Sequence, residues 1–564
     1  MRRKGTYFFL FDKNLRTFIF DMLSLPLLLS VFRMIVLPVE FQDRTFDATP
    51  EQLQATVRQA EQYFNRQFGG QTTFEFTLAP VTTLPHETAY YGANYSDRKD
   101  INLPEAVRDA CNQRQADINY TLYDNDSDGA VDNVFLLAAG PGEDNGGGES
   151  AIWPQQGRLS ATGSPISIQG KRIDRFAVCS EGRLGVFCHE FGHVLGLTDL
   201  YDTDGEDSGG RTRGLWGFSL MDEGCLGNTP PDFGALDYEL LGLGQGEPLV
   251  PGHYELAPLV TGRRYLKAAT QKEDEFFLFE NRGGSLYVYH IDRTDNSAGA
   301  SARQDRELTA RERWELGEVN NNPAHPCARL LSADPAAKDL SAVPFPQEGF
   351  DSFGSDSPTP MRAWNGYAPG LALTGIRRMA DGGVAFDVIR PLEFAEFSVY
   401  QDAAVVRWKP SADLGKVAGY QVSWTDGTET MIRDLGPEAT SHTLEHLQPK
   451  TAYSVTVQVR TAGQERYSLS TSFVTKVYRE GTYPYIYLSN AQRNLDGSFP
   501  AGSKIPLRVF NATGVEEVRW TLDGKLITPE ADGNFTLRRS GRLAAQILHT
   551  DGTTETIYKE ITVQ

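Results

Sequence analysis

The stretch that most restricts what this chain can fold into is His189-Glu190-Phe191-Gly192-His193, followed by Gly196 and Asp199. Two histidines four apart on a helix project from one face, one turn apart, which suits two neighbouring positions on a tetrahedral zinc. Glu190, beside the first histidine, reaches past such a metal to its bound water. Gly196 can take the backbone conformation that ends a helix and turns the chain back, so that Asp199 supplies a third ligand. Leu184, Phe187, Cys188, Phe191, Val194 and Leu195 fall at helical spacing and predict a buried helix. Unpartnered buried polar groups cost about 1–3 kcal/mol each, so two histidines and a glutamate in so apolar a helix need partners, and a metal is the obvious one. H-E-x-x-H alone arises by chance on ordinary amphipathic helices. The extension to Gly196 and Asp199 favours a zinc hydrolase, most simply a protease.

A chain of 564 residues predicts several domains, because single cores rarely grow beyond about 250–300 residues. The formal charge of −20 argues against nucleic acid or an anionic membrane surface as partner. Five cysteines (111, 179, 188, 225 and 327), with no C-x-x-C, describe neither a disulfide scaffold nor a cysteine-based zinc site. At the N-terminus, Arg2, Arg3 and Lys4 precede the apolar run from Met22 to Phe32, which is of signal-peptide length and too short to span a membrane. Residues 1–32 are read as a signal or leader segment. A start at Met22, or a buried apolar segment, is the competing reading.

Residues 33–246 alternate strand and helix signals. Met34 to Phe41 is strand-like, and Pro50 to Phe68 carries Leu53, Val57, Ala60 and Phe64 at helical spacing. Leu103 to Arg114 is a second helix candidate, Asn133 to Gly140 a buried strand, and Gly182 to Leu195 the histidine-bearing helix. The glycine-rich loop from Gly140 to Gly148 lacks G-K-[ST] and reads as a flexible surface loop. Short β-type runs punctuated by Gly and Pro then predict a β-sandwich-like subdomain over 247–390. Residues 391–477 carry Trp408 in a strand and the string Leu447-x-Pro449-x-Thr451-x-Tyr453, which resembles the tyrosine corner of a fibronectin type III domain. Over 478–564, hairpin signals at Asp523-Gly524 and Asp551-Gly552, with Trp520 as a core residue, predict an immunoglobulin-like β-sandwich.

In the chemistry this pattern implies, His189 and His193 are neutral ligands. Zinc lowers the pKa of its water to about 7, and Glu190 serves as general base and then acid. Asp199 stands six residues past His193, the distance at which metzincins place their third ligand. Asp202 is close enough to compete, and calcium binding or loop capping is the plainer role for either. Met221, in Trp216-Gly217-Phe218-Ser219-Leu220-Met221-Asp222, suits the methionine turn that metzincins keep beneath their zinc, although a methionine more often fills a core gap.

The string HEFGHVLGLTDLYD, with Leu215-Trp216 to Met221 and Pro230-Pro231-Asp232-Phe233, resembles the immune-inhibitor-A-like metalloproteases. The resemblance extends to Ile35 to Asp43, Tyr123 to Val134, Phe279-Glu280-Asn281-Arg282, Tyr289-His290-Ile291-Asp292 and Val319-Asn320, so it covers about residues 33–390. It implies a secreted bacterial zinc enzyme of metzincin type, in which the β-rich stretch after Gly246 belongs to the peptidase unit. Thr198, where many relatives have proline, is a departure. So is the lack of an evident propeptide before the first strand.

Asp124, Asp126, Asp128 and Asp132 form a D-x-D-x-D-G-x-x-D loop whose hard oxygens suit calcium, with a solvated acidic turn as the plainer reading. His290 beside Asp292 reads as a structural, hydrogen-bonded histidine, and Cys188 as a buried, inert thiol. The sequence therefore predicts a multidomain protein: an α/β metzincin-like zinc protease domain with a β-sandwich-like subdomain, then fibronectin type III and immunoglobulin-like sandwiches. Expected partners are protein or peptide substrates and no nucleic acid, with cell-surface or extracellular-matrix binding through the C-terminal modules. The expected location is secreted or cell-surface. The rivals are an adhesion or glycan-binding protein with a vestigial protease fold, and a zinc hydrolase acting on something other than peptides.

Overall fold

The computed structural model describes residues 31–564 except 97, 245, 401, 413, 477–483, 489–493 and 495–497. The leader expected at 1–32 lies outside the described residues up to position 30, and Val31 and Phe32 already belong to the first strand. The chain is multidomain and largely β, with few helices, and divides into two compact units. One holds the chain to Leu392 together with Ser411–Val417 and Thr456–Thr471; the other holds the remainder.

In the first unit, strands β1 (Val31–Glu40), β2 (Thr73–Leu78), β3 (Val134–Ala138), β4 (Gln155–Arg158) and β5 (Arg175–Ser180) form a sheet in the order β2-β1-β3-β5-β4. All its neighbours run parallel except β4, which pairs antiparallel with β5 at the edge. A parallel sheet must be covered on both faces, and the strands show it. Met34 and Val36 of β1 pack into the core with helices α1 (Pro50–Phe68) and α3 (Leu184–Val194). Ile35, Leu37 and Val39 pack oppositely with α2 (Leu103–Gln113). Helix α1 starts at a capping box in which Thr49 and Gln52 bond reciprocally, and it ends at Gly69 in the left-handed region.

Glu181, between β5 and α3, accepts N–H bonds from Gly140 (2.6 Å), Asp47 (3.1 Å) and Ala48 (2.9 Å). One carboxylate thus ties the loops after β1 and β3 to the start of α3. The glycine-rich loop is anchored rather than free: Asp144 pairs with Arg183 at 2.9 Å, and Gly147 N–H closes on the Gly142 carbonyl at 2.8 Å.

The same unit continues through α4 (Ala235–Leu241) into strands β6 (Gly246–Pro248), β7 (Gly252–Leu256), β8 (Tyr265–Ala269), β9 (Glu275–Arg282), β10 (Ser285–Asp292), β11 (Ala328–Leu330), β12 (Phe353–Gly354), β13 (Ala372–Arg378) and β14 (Val384–Ile389). They form two sheets, β6-β8-β9-β10-β11 and β7-β14-β13-β12, around a shared core of Phe277, Phe279, Val288, Leu373 and Phe386.

Between 392 and 474, seven strands pair as three and four. Trp408 is buried, and the Tyr453 hydroxyl accepts the Gln448 N–H at 2.9 Å, the bond a tyrosine corner makes. Farther on, Asp523 and Gly524, both at positive φ, turn a two-residue hairpin between Leu522 and Lys525. Trp520 lies in the adjoining core with Leu543 and Ile547.

Phe191 of α3 meets Phe32, Phe64, Phe74 and Phe76 at centroid distances of 4.7–5.8 Å. Phe191→Ala is expected to cost about 3–5 kcal/mol, read as a lower denaturant midpoint; a loss under about 1 kcal/mol contradicts the packing. Asp237 caps α4 by accepting the Gly234 N–H at 2.8 Å, and Glu280 accepts the Ala235 N–H. Burial pushes both carboxyls up to about 6, from ordinary values of 3.8 and 4.5. A raised carboxyl favours its protonated form in the folded state. Their contribution is therefore fully present below about pH 4 and lost as pH rises through about 6. Asp237→Asn should flatten that part of a midpoint-against-pH curve, and an unchanged slope would count against it.

Candidate metal centre

Helix α3 carries His189, Glu190 and His193, and is buried apart from the half-buried Leu184 and His193. Its end is set by Gly196 at φ +98°, which turns the chain so that the Leu197 carbonyl lies 2.9 Å from His193 Nδ1. His189 Nδ1 lies 2.9 Å from the Leu220 carbonyl. A carbonyl only accepts, so each Nδ1 carries the proton and each Nε2 presents a lone pair. The two Nε2 atoms are 3.2 Å apart, and Asp199 Oδ1 lies 3.2 and 3.3 Å from them. These three acceptor atoms converge within 4.8 Å of one another, with His189 and Asp199 buried and His193 half-buried. Asp199 Oδ1 and Glu190 Oε2 have no hydrogen-bond partner among the described residues. Three facing lone pairs repel unless a cation sits among them, and the two-nitrogen, one-oxygen donor set suits zinc. The residues fit the metal.

Although burial opposes it, Asp199 holds both imidazoles above their ordinary value, so without a cation protons would occupy the gap between the three ligands. Burial pushes Glu190 up to about 7, against the pull of His189 and His193. Burial also opposes ionisation of Asp199, but the adjoining histidines outweigh it and hold the carboxyl below its usual range.

Of the two aspartates that compete in the sequence, the structure brings Asp199 to the histidines. Asp202 turns into its own loop, accepting N–H bonds from Gly205 (2.9 Å) and Thr212 (2.9 Å). Met221 lies beneath α3: a Cβ built on Gly192 would stand 2.7 Å from its sulfur. Gly185 approaches more closely still, since a Cβ there would meet the Cys225 carbonyl at 2.1 Å. The helix thus needs glycine at 185 and 192 to rest on the 220–227 segment, and only Gly192 falls among the unspecified letters of the motif.

The acidic loop is only partly gathered. Asp124, Asp126 and Asp128 offer oxygens within 4.8 Å of one another. Lys171 pairs with Asp124, and the loop amides of Asp128 and Ala130 bond Asp126 and Asp128. Asp132 is engaged elsewhere, accepting from Asn125 N (2.7 Å) and Nδ2 (2.8 Å).

His290 is buried in a network away from the histidine pair. Its Nε2 is 2.9 Å from Glu275 Oε1, and Arg329 lies 3.1 Å from its Nδ1. Cys188 is a buried free thiol that burial pushes well above its ordinary range.

Sequence reasoning gave no role to several residues that brace the site. Arg282 stacks 3.7 Å over Phe218 and donates to the Phe218 carbonyl at 3.1 Å. Asn320 donates to the Leu200 carbonyl at 2.8 Å, and Asn321 accepts the Thr203 N–H at 2.9 Å. For Arg282 the available signal was a charged residue closing an apolar strand run, whereas Asn320 and Asn321 lie in a polar turn that offers no such signal.

Residues 37–237 match the family described as immune inhibitor A peptidase M6, catalytic domain, and residues 391–474 match the fibronectin type III domain. The chain is 29% identical over 209 residues to immune inhibitor A of Bacillus thuringiensis subsp. alesti, covering 31% of this chain and 30% of that protein. It is 29% identical over 203 residues to pre-pro-metalloprotease PrtV of Vibrio cholerae serotype O1, covering 30% and 22%. A solved fibronectin type III domain of human collagen alpha-1(XX) chain is 27% identical over 16% of this chain and 80% of its own, with a TM-score of 0.14. The matches cover less than a third of the length of either curated relative. The chain therefore carries a peptidase M6 segment and a fibronectin type III segment.

The His290 network yields a test of its own. His290→Ala is expected to lower thermal stability by roughly 1–3 kcal/mol through the buried partners it strands, with bound metal unchanged. Loss of metal from that variant would place His290 in the centre instead.

Proposed function

We propose that this chain is a secreted zinc-dependent endopeptidase with a metzincin-like catalytic domain over 33–246. In this reading 247–390 is the β-rich part of the peptidase unit, 391–477 the fibronectin type III domain and 478–564 an immunoglobulin-like sandwich. The observation that carries the reading is the convergence of His189 Nε2, His193 Nε2 and Asp199 Oδ1, with Glu190 beside the first of them on the same helix. These three residues would hold the zinc. When bound, zinc supplies Lewis acidity that polarises a carbonyl and acidifies water.

The remaining work falls to the chain's own side chains. Glu190 Oε2, buried and without a partner, accepts a proton from the attacking water and returns it to the departing amine. The Leu220 and Leu197 carbonyls hold the two imidazoles in the tautomer that leaves Nε2 free. Met221 fills the space under the helix between the histidines. Strand β4 ends its sheet beside α3 and, among the described residues, pairs with β5 alone, so its outer edge can take an extended peptide as an added strand next to the centre.

Export agrees with the basic and apolar residues at the N-terminus, and among the described residues no helix is long and apolar enough to cross a membrane. Asp124, Asp126 and Asp128 are the proposed calcium ligands, with Asp132 reaching them only if its bonds to Asn125 open. The C-terminal modules are proposed to bind or space the enzyme at a cell surface or matrix. They also favour the rival reading of an adhesion or glycan-binding protein with a vestigial protease fold.

Glu190→Ala in purified full-length protein should lower casein or gelatin cleavage at least a hundredfold while leaving bound zinc in place. Cleavage at the wild-type rate would refute the mechanism. Cleavage by neither protein, with glycan binding intact, would favour the rival.

A further inference from the structure

Asp222 follows the methionine of the proposed turn and is 2% exposed. Its Oδ2 accepts the Leu215 N–H at 2.7 Å and the Gly217 N–H at 3.3 Å, and its Oδ1 accepts the Glu223 N–H at 2.7 Å. The segment it gathers is conformationally expensive. Gly214, Trp216 and Gly217 all have positive φ (50°, 61° and 69°), and tryptophan has no glycine-like freedom there. A Cβ on Gly214 would stand 2.9 Å from Asp222 Oδ2, so the backbone comes as close to the carboxylate as a glycine permits. Asp222 holds the two ends of the loop and Arg282 holds Phe218 in the middle, while Arg213 lies 4.5 Å over the Trp216 ring.

The loop presents two carbonyls to the candidate centre. The Leu220 carbonyl receives His189 Nδ1–H, and the Met221 carbonyl receives the Leu200 N–H at 2.7 Å, directly after Asp199. One buried carboxylate therefore stands behind both a histidine and the turn that delivers the aspartate.

We infer that Asp222 is a positioning residue for the metal centre, holding the 214–223 loop so that its Leu220 and Met221 carbonyls fix the His189 ring and the Asp199 turn. It touches neither metal nor substrate, and the inference rests on the zinc reading given above. Partners that orient a ligand in this way typically change metal affinity 10–100-fold when removed. Asparagine at 222 keeps the shape but turns an amide donor toward backbone N–H groups, so it loses part of the grip without opening a cavity.

The test is zinc retention by the full chain in competition with a chromophoric chelator, alongside thermal unfolding. Asp222→Asn should release zinc at least tenfold more readily than wild type, with kcat falling and KM little changed. His290→Ala, destabilised but remote, should retain zinc and so separates positioning from general loss of stability. Gly217→Ala strains the same turn while its Cβ finds no atom nearer than 3.7 Å. It should show a smaller loss of zinc, and it decides the matter if Asp222→Asn fails to fold. Wild type that takes up no zinc refutes the metal reading and this inference with it. Wild type that holds zinc, with Asp222→Asn or, failing that, Gly217→Ala holding it as tightly, refutes the inference alone.

Discussion

The candidate centre depends on two hydrogen bonds, from His189 Nδ1 to the Leu220 carbonyl and from His193 Nδ1 to the Leu197 carbonyl. They decide which ring nitrogen carries the proton, and so turn two imidazoles, one buried and one half-buried, into two lone pairs aimed at one point. Asp199 adds a third acceptor in surroundings where an unneutralised cluster would be costly. Either protons or a cation must sit there, and Glu190 next to it then has an unpartnered oxygen to work with.

Both carbonyls come from irregular backbone, and irregular backbone must be held. Gly196 provides one turn by its own conformation. The other depends on Asp222 and Arg282, and the loop after Asp199 depends on Asn320 and Asn321. Arg282, Asn320 and Asn321 all lie beyond residue 246. The helix and its ligands are thus local in sequence, whereas the bonds that keep them in place are long-range. A fragment ending near 246 would keep the motif and lose its supports.

That division explains what could be read in advance. The histidine helix, the first strand at Met34 to Phe41 and the hairpin at Asp523-Gly524 follow from periodicity and turn chemistry, which are local. Spacing favours Asp199 without removing Asp202, and what removes it is where the loop amides point: those of Gly205 and Thr212 hold Asp202 in its own loop. Asp132 shows the same limit, since its place in the acidic pattern gives no hint that Asn125 occupies it. The glycine-rich loop looked free by composition, yet the Asp144–Arg183 pair and Glu181 fasten it through contacts that composition does not encode. Asp222 was visible only as the letter after a methionine.

The most direct test of the central claim is metal content, measured on the purified full chain and on its Asp199→Ala and Asp202→Ala variants. The convergence of His189, His193 and Asp199 predicts one zinc per wild-type chain, retained by Asp202→Ala and lost from Asp199→Ala. Zinc lost from Asp202→Ala and kept by Asp199→Ala, or no zinc in the wild-type chain, would contradict it.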